Sequence, residues 1–376
     1  SLQVISCRAA VLWKEGTPLS IETITVDPPE AGEVRVRNVA AGVCASDAHF
    51  LWNQETDLKL DFDGLPVVLG HEGSAIVESV GAGVKGVSVG DHVIPLFIPN
   101  CDRCALCANP RTNQCADANF ATLLRARDGS TRLRIDGRPL LSLCGTNTFG
   151  EYAVLRESQI CKISRDVDLK TACIIGCAVG TGFGTVRRLA GVHAGATCAV
   201  WGLGAIGLST TLACRLAGAG RVIGIDVNSG KRKFAEEFGC HEFVNPRELE
   251  RPLEEWLRAE GGVDYAFDCV GNILALRTGL KALKAWGTLV CVGLGPSGHS
   301  LEIPVSDLLA GQRLLGGYFA NEKSRRSVVQ LVEEFARGEL PIEGLITHRF
   351  PLDAINEAFD LLRDGKSVRA VIDFDL

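Results

Sequence analysis

An α/β chain of two domains, one rich in short strands and one doubly wound around a parallel sheet, is the fold class this sequence predicts. Three observations carry it. The 376 residues amount to between two and three times the usual ~150 per domain. From about Arg8 to Leu155, short apolar runs (Val34 to Val39, Val67 to Leu69, Ala75 to Val80, His92 to Pro95) are punctuated by Gly and Pro. From about Gly180 to Phe319, buried strands alternate with amphipathic helices, the pattern of a parallel sheet covered on both faces.

The elements of that second region follow in order: "TCAVWG", a helix over Ala205 to Ala217, "RVIGID", a helix over Lys231 to Phe238, "VDYAFDCVG", a helix over Ile273 to Lys284, then "GTLVCVG". Two helical patterns, Ser324 to Arg337 and Leu352 to Arg363, and a strand-like "RAVIDF" close the chain. They do not extend the alternation and are expected to rejoin the first domain. Neither an internal repeat nor a low-complexity linker is found.

Composition narrows the function. Hydrophobic residues are 46 % and charged residues 22 %, an ordinary globular balance that gives disorder and coiled coil no support. Net charge is −6 with 39 Lys plus Arg spread along the chain, so nucleic acid and anionic membrane surfaces are not expected partners. The stretch from Leu189 to Cys214 lacks Asp, Glu, Lys and Arg, but Gly191, Gly195, Gly202, Gly204 and Gly207 interrupt it. It reads as loop, strand, turn and helix start rather than a membrane span. Residues Ser1 to Gly16 lack the apolar run of a signal peptide, and a cytoplasmic protein is expected. The 15 cysteines are scattered and odd in number, which argues against a secreted disulfide framework and for buried thiols, metal ligands or nucleophiles. Met is absent, and no function attaches to that.

"VWGLGAIG" places Gly202, Gly204 and Gly207 in G-x-G-x-x-G spacing, after an apolar strand and opening a helix. The first glycine permits the turn, the second lets backbone approach a pyrophosphate, and the third lets helix pack on strand, with the helix N-terminus facing the phosphates. The next strand ends in Asp226, 24 residues after Gly202, where a carboxylate accepts hydrogen bonds from an adenosine ribose. That carboxylate repels a 2′-phosphate, so NAD is expected over NADP. Lys231 lies within reach of the same ribose, or is a solvated helix charge.

"CDRCALCANPRTNQC" sets Cys101, Cys104, Cys107 and Cys115 in a C-x2-C-x2-C-x7-C run. Four thiolates close a tetrahedral shell and leave no place for water or substrate, the arrangement of a structural zinc. An iron–sulfur cluster also takes four cysteines; the nucleotide fingerprint and the metal-type residues upstream favour zinc.

"GVCASDAHF" with Cys44, "GHEG" with His71 and Glu72, and "IIGCAVGTGFG" with Cys177 stand around that run. In this order, with the glycine turn and with "VLGHEG", "VIPLF", "GTNTFGEY", "GGVDYAFDCVGN" and "GKSVRAV", the whole chain resembles the zinc-dependent medium-chain alcohol dehydrogenases, liver-type and class III-like. The resemblance implies a GroES-like catalytic domain over residues 1–178, completed by 322–376, and an NAD-binding Rossmann domain over 179–321. It implies two zinc ions per chain. Cys44, His71 and Cys177 match the catalytic ligands, with one position open. The implied reaction is reversible hydride transfer between an alcohol held at that zinc and NAD, giving aldehyde or ketone.

Residue roles follow from the same match. Ser46 corresponds to the hydroxyl that bonds the reacting oxygen, and His49 to the solvent-facing proton acceptor. Asp47 corresponds to the carboxylate that orients His71, and Glu72 lies behind the metal. Thr181 and Val292 match residues lining the nicotinamide, Ile206 an apolar residue behind it, Arg369 a pyrophosphate contact, and Phe97 an inner wall of the substrate pocket. A homodimer is implied, and closed two-fold symmetry is the commonest assembly.

Two departures bear on substrate and cofactor. Ala45 stands where many members carry Arg or His against the pyrophosphate, and the loop over 51–66 is longer than in liver-type enzymes. A glutathione-dependent formaldehyde dehydrogenase, acting on S-hydroxymethylglutathione, is the runner-up reading, with Arg125 and Arg127 as the candidate anion contacts. A non-catalytic NAD-binding protein on the same fold is the reading from another class; a thiol-based redox sensor lacks a C-x-x-C outside the lobe.

Overall fold

The computed structural model describes residues 3–52, 62, 64–117 and 123–376. It divides into two compact units, one comprising most of the chain up to Cys177 together with Lys323–Leu376, the other Ala178–Glu322.

In the first unit, the strands Ile5–Leu12, Ser20–Val26, Leu133–Ile135, Arg138–Ser142 and Val67–Val68 close a barrel in that order. The hairpin between Leu133–Ile135 and Arg138–Ser142 turns at Asp136 (φ +47°) and Gly137 (φ +74°), the positive-φ pair that matches the twist of a two-residue hairpin. A second sheet runs Ile160–Lys162, His92–Pro95, Gly73–Val80, Glu33–Gly42, Arg369–Asp373, Ile346–Phe350, with Tyr152–Arg156 also paired to Glu33–Gly42. Glu33–Gly42 is buried at nine of its ten positions because strands pair with it on both edges. The C-terminal strand enters this sheet antiparallel, with Val371 opposite Gly42, which seats Arg369 one turn of pleat away from the residues that follow Gly42.

The second unit is a six-stranded parallel sheet, ordered Glu242–Val244, Arg221–Ile225, Thr197–Trp201, Val263–Asp268, Leu283–Cys291, Arg313–Gly316. Strand order reverses between Thr197–Trp201 and Val263–Asp268, and the crevice beyond their carboxyl ends is where such sheets bind ligands. Its core is Ala199, Trp201, Ile223, Ile225, Leu257, Ala266 and Leu289 with their neighbours. The expected α/β class is the one that forms.

Several helix ends differ by a residue or more, and one boundary changes the type of element. The helix expected to reach Lys284 ends at Ala282, and Leu283 already has extended geometry (φ −63°, ψ 141°) as the first residue of a strand that pairs with Val263. Sheet pairing outweighs the helical spacing of the side chains there.

Candidate active site

The strand Glu33–Gly42 delivers the chain to Cys44, which caps the N-terminus of the short helix Ala45–Leu51. That helix carries Ser46, Asp47 and His49; Asp47 is fully buried, while Ser46 and His49 are half-buried. His71 precedes the strand Gly73–Val80, and Cys177 lies on the widened helical turn Ile175–Val179. Residues far apart in the chain are thereby brought together. One ligand atom each from Cys44, His71 and Cys177 falls within 4.8 Å of the others, and all three residues are buried.

The donor set fits a zinc ion. Cys177 Sγ lies 3.4 Å from His71 Nε2, close to the ~3.6 Å separation of a sulfur and a nitrogen on a tetrahedral zinc. His71 Nδ1 lies 3.2 Å and 3.1 Å from the two Asp47 oxygens. A proton held on Nδ1 by that carboxylate leaves the Nε2 lone pair facing the sulfurs. Asp47 is itself held by the Gly70 N–H at 2.9 Å.

Hydrogen bonding from the Cys177 thiol holds Cys44 well below the ordinary thiol value despite burial, with the Arg369 and His71 charges adding to the effect; Cys177, sharing that proton, is raised. Replacing Asp47 by Asn keeps the shape but removes the charge that orients His71, and zinc affinity at this site is expected to fall about 10- to 100-fold, read by competition with a chelator.

Behind the cluster, Glu72 is fully buried, and Gly42 is required for it: a Cβ at position 42 would stand 2.1 Å from Glu72 Oε1. Burial pushes the Glu72 carboxyl up to about 7, against the attraction of Arg369. Arg369 Nε lies 3.3 Å from Glu72 Oε1, and its Nη1 donates to the Val43 carbonyl at 2.5 Å. This second partnership, between a residue at the metal and one expected only at the pyrophosphate, has no local signal in the sequence. The Phe97 ring stands edge-on to His71 at 5.5 Å and forms an apolar wall.

In the cysteine lobe, the sulfurs of Cys101, Cys104, Cys107 and Cys115 all lie within 4.8 Å of one another. Cys101 and Cys107 are 3.8 Å apart, the edge of a ZnS4 tetrahedron with ~2.3 Å bonds. Cys104 Sγ accepts the Ala116 N–H at 3.4 Å and the Cys107 N–H at 3.3 Å, and these bonds draw its thiol down to about 6. Cys115 accepts the Asp117 N–H at 3.4 Å.

In the second unit, the glycine turn has the expected steric logic. Gly202 has φ +83°, and a Cβ on Gly207 would strike the Gly202 carbonyl at 1.8 Å, whereas Gly204 faces open space. Gly204 caps the helix Ala205–Leu216, whose first turn carries half-buried Ile206. Asp226 is tied to this turn: its oxygens accept the Leu203 and Asn228 N–H groups, each at 2.8 Å. Lys231, open between a ribose contact and a solvated charge, is 7 % exposed; burial lowers its pKa and the Asp226 charge opposes that. It is not a solvated charge. Thr181 is buried on the helix Gly180–Gly184, and Val292 donates its N–H to the Asp268 carbonyl at 2.9 Å. Most of the 51–66 loop, together with residues 118–122 next to the fourth lobe cysteine, lies outside the described residues.

Two family models match the chain: an alcohol dehydrogenase GroES-like domain over residues 30–165 and a zinc-binding dehydrogenase domain over 205–337. The chain is 42 % identical to the class-3 alcohol dehydrogenase of Drosophila melanogaster, across 99 % of its own length and 98 % of the relative's. It belongs to the zinc-dependent medium-chain alcohol dehydrogenases. A second member, the geraniol dehydrogenase of Carpoglyphus lactis, is 40 % identical, across 98 % of each chain. Among solved structures, an alcohol dehydrogenase zinc-binding domain protein from Burkholderia ambifaria superposes with a TM-score of 0.89 at 31 % identity, over 99 % of each chain. Within this family the β-rich unit is thus the GroES-like one, and the zinc-binding dehydrogenase match covers most of the parallel six-stranded unit and runs on into the helix Ser324–Ala336.

Proposed function

We propose that this chain is an NAD-dependent alcohol dehydrogenase with two zinc ions, which interconverts primary or secondary alcohols and the matching aldehydes or ketones. The convergence of Cys44 Sγ, His71 Nε2 and Cys177 Sγ, with Asp47 behind the imidazole, carries this reading. Zinc supplies Lewis acidity toward an alcohol hydroxyl or a carbonyl, and NAD supplies the hydride acceptor.

The chain's own residues do the rest. Asp47 fixes the His71 tautomer, and the Cys44 and Cys177 sulfurs supply the negative charge that a dication requires. Ser46, half-buried two residues after Cys44, holds the hydroxyl proton as it leaves, and half-buried His49 on the same helix passes it toward water. Phe97 excludes water from the side of His71. Thr181, Val292 and Ile206 receive the nicotinamide, and Arg369 the pyrophosphate. Cys101, Cys104, Cys107 and Cys115 hold the second zinc.

Asp226 selects the cofactor. A carboxylate already committed to the glycine turn cannot swing away from a 2′-phosphate, so NAD is preferred. Changing Asp226 to Ala is expected to shift the ratio of kcat/KM for NAD over NADP by at least about tenfold toward NADP. Steady-state rates with both cofactors measure it.

The assembly supported best is a homodimer. Arg313–Gly316 is the edge strand of the parallel sheet, and Val305, Leu308, Leu309, Leu314 and Trp286 expose apolar surface beside it. All fifteen cysteines are unpaired, which suits the reducing cytoplasm. No helix of the described residues is long and apolar enough to cross a membrane.

The test is the initial rate of NAD reduction with short alcohols, long-chain alcohols, and formaldehyde with and without glutathione. Turnover of simple alcohols without glutathione supports the reading. Turnover only with glutathione moves the enzyme to S-hydroxymethylglutathione oxidation. Arg125 and Arg127 are then the residues to mutate. No NAD reduction with any of these substrates overturns the proposal.

A further inference from the structure

Arg156 ends the strand Tyr152–Arg156 and is 7 % exposed. Its guanidinium donates to the Asp117 carbonyl at 2.7 Å and the Arg125 carbonyl at 3.2 Å. Two of five N–H groups are thereby used, and among the described residues no carboxylate stands within ion-pair distance of it. The side chain lines a cavity of about 70 Å³ together with Glu30, Gly32, Glu33, Arg127, Asp128 and Arg132.

The carboxylates of that wall are already committed. Glu33 binds Arg132 through both oxygens, at 2.8 Å and 3.1 Å. Glu30 and Asp128 reach Arg132 at 3.0 Å and 3.5 Å. Arg127 pairs with Asp117. Burial holds the Arg156 guanidinium below its ordinary value; Asp117 opposes this, and the charge of Arg127 adds to it. Arg156 makes no ion pair among the described residues, Asp117 and Glu33 act on it only at longer range, and a second guanidinium lines the same void, so a further negative charge there is stabilising.

We propose that this cavity binds one small oxyanion, a carboxylate or inorganic phosphate, between Arg156 and Arg127. Guanidinium forks match both ligands in geometry, and the anion supplies the direct ion pair that Arg156 does not make among the described residues. Gly32 (φ +77°) has nothing within 4 Å of where its Cβ would be, so this side of the wall is open to a ligand. No cysteine of either cluster is among the residues that line the cavity.

The experiment is calorimetric titration of the zinc-loaded enzyme, saturated with NADH so that the glycine turn is occupied, with inorganic phosphate, acetate and, as control, chloride at matched ionic strength. Saturable binding of phosphate or of acetate above chloride is expected, accompanied by a rise in melting temperature. Whichever of the two binds identifies the ligand class. Arg156→Gln is expected to weaken that binding by at least about tenfold. Arg127→Gln, a change at a half-exposed side chain, weakens it as well without putting the fold at risk. Arg134→Gln, on the adjoining strand and paired with Asp27, leaves it unchanged. Failure of both anions to saturate, or equal binding by the wild type and both Arg156→Gln and Arg127→Gln, overturns the proposal.

Discussion

Replacing His71 by Ala is expected to lower kcat/KM for alcohol oxidation by at least about a thousandfold, since a Lewis acid at the reacting oxygen contributes several kcal/mol and each 1.36 kcal/mol is about tenfold. The variant loses the one nitrogen of the cluster and the partner that Asp47 orients. Two thiols alone do not hold zinc tightly, so bound zinc is expected to fall by one ion per chain. The fold survives, because the sheet built on Glu33–Gly42 keeps its core of Val34, Val36, Ala75, Val77, Val93 and Leu155. NADH binding, read by fluorescence, stays within about twofold of wild type, because Gly202, Gly204 and Gly207 are untouched. Loss of turnover with zinc and NADH binding both intact would place His71 outside the metal site.

The second large effect lies in the cysteine lobe and falls on stability. Cys115 and Asn113 are the only buried residues between Cys101 and Asp117 among the described residues, so this lobe has almost no core of its own. A zinc held by the four cysteines would supply its folding free energy, which in small zinc modules is roughly 10–16 kcal/mol. Cys115→Ser removes the buried ligand and is expected to lower bound zinc by one ion per chain. A drop in melting temperature on the order of 10 °C is expected with it, together with rapid proteolysis between Cys101 and Cys115. The lobe is also tied outward, by Arg325 to Asp102 at 2.7 Å and by Lys323 to the Leu106 carbonyl at 2.9 Å, so its collapse is felt by the helix Ser324–Ala336. Differential scanning calorimetry with limited proteolysis measures both; an unchanged melt would mean the lobe folds without its metal.

What could be read from the chain and what could not divides along sequence distance. The four lobe cysteines lie within one short run, and the glycine turn with Asp226 spans a single strand–helix–strand unit, so their chemistry is carried by local spacing. Cys44, His71 and Cys177 are separated by long stretches that no periodicity connects, and only the family resemblance grouped them before the fold did so. The barrel was not legible because two of its strands, Val67–Val68 and Leu133–Ile135, are too short to show an alternation. The Asp136–Gly137 pair was a hairpin signal in plain view that went unread. Arg369 on Glu72, and the arginines gathered around Arg156, are products of sheet pairing between distant strands, and no local pattern announces them.

Two separate zinc sites are proposed, of which only one serves the alcohol. Elemental analysis of dialysed protein, run beside the alcohol-oxidation rate for wild type, His71→Ala and Cys115→Ser, distinguishes them. Two zinc ions per chain are expected in the wild type, matching the two donor clusters, and one in each variant. His71→Ala is expected to be inactive, while whatever Cys115→Ser protein stays folded turns over alcohol. A wild type with one zinc, or a His71→Ala protein that keeps two and still oxidises alcohols, would rule out this division of roles.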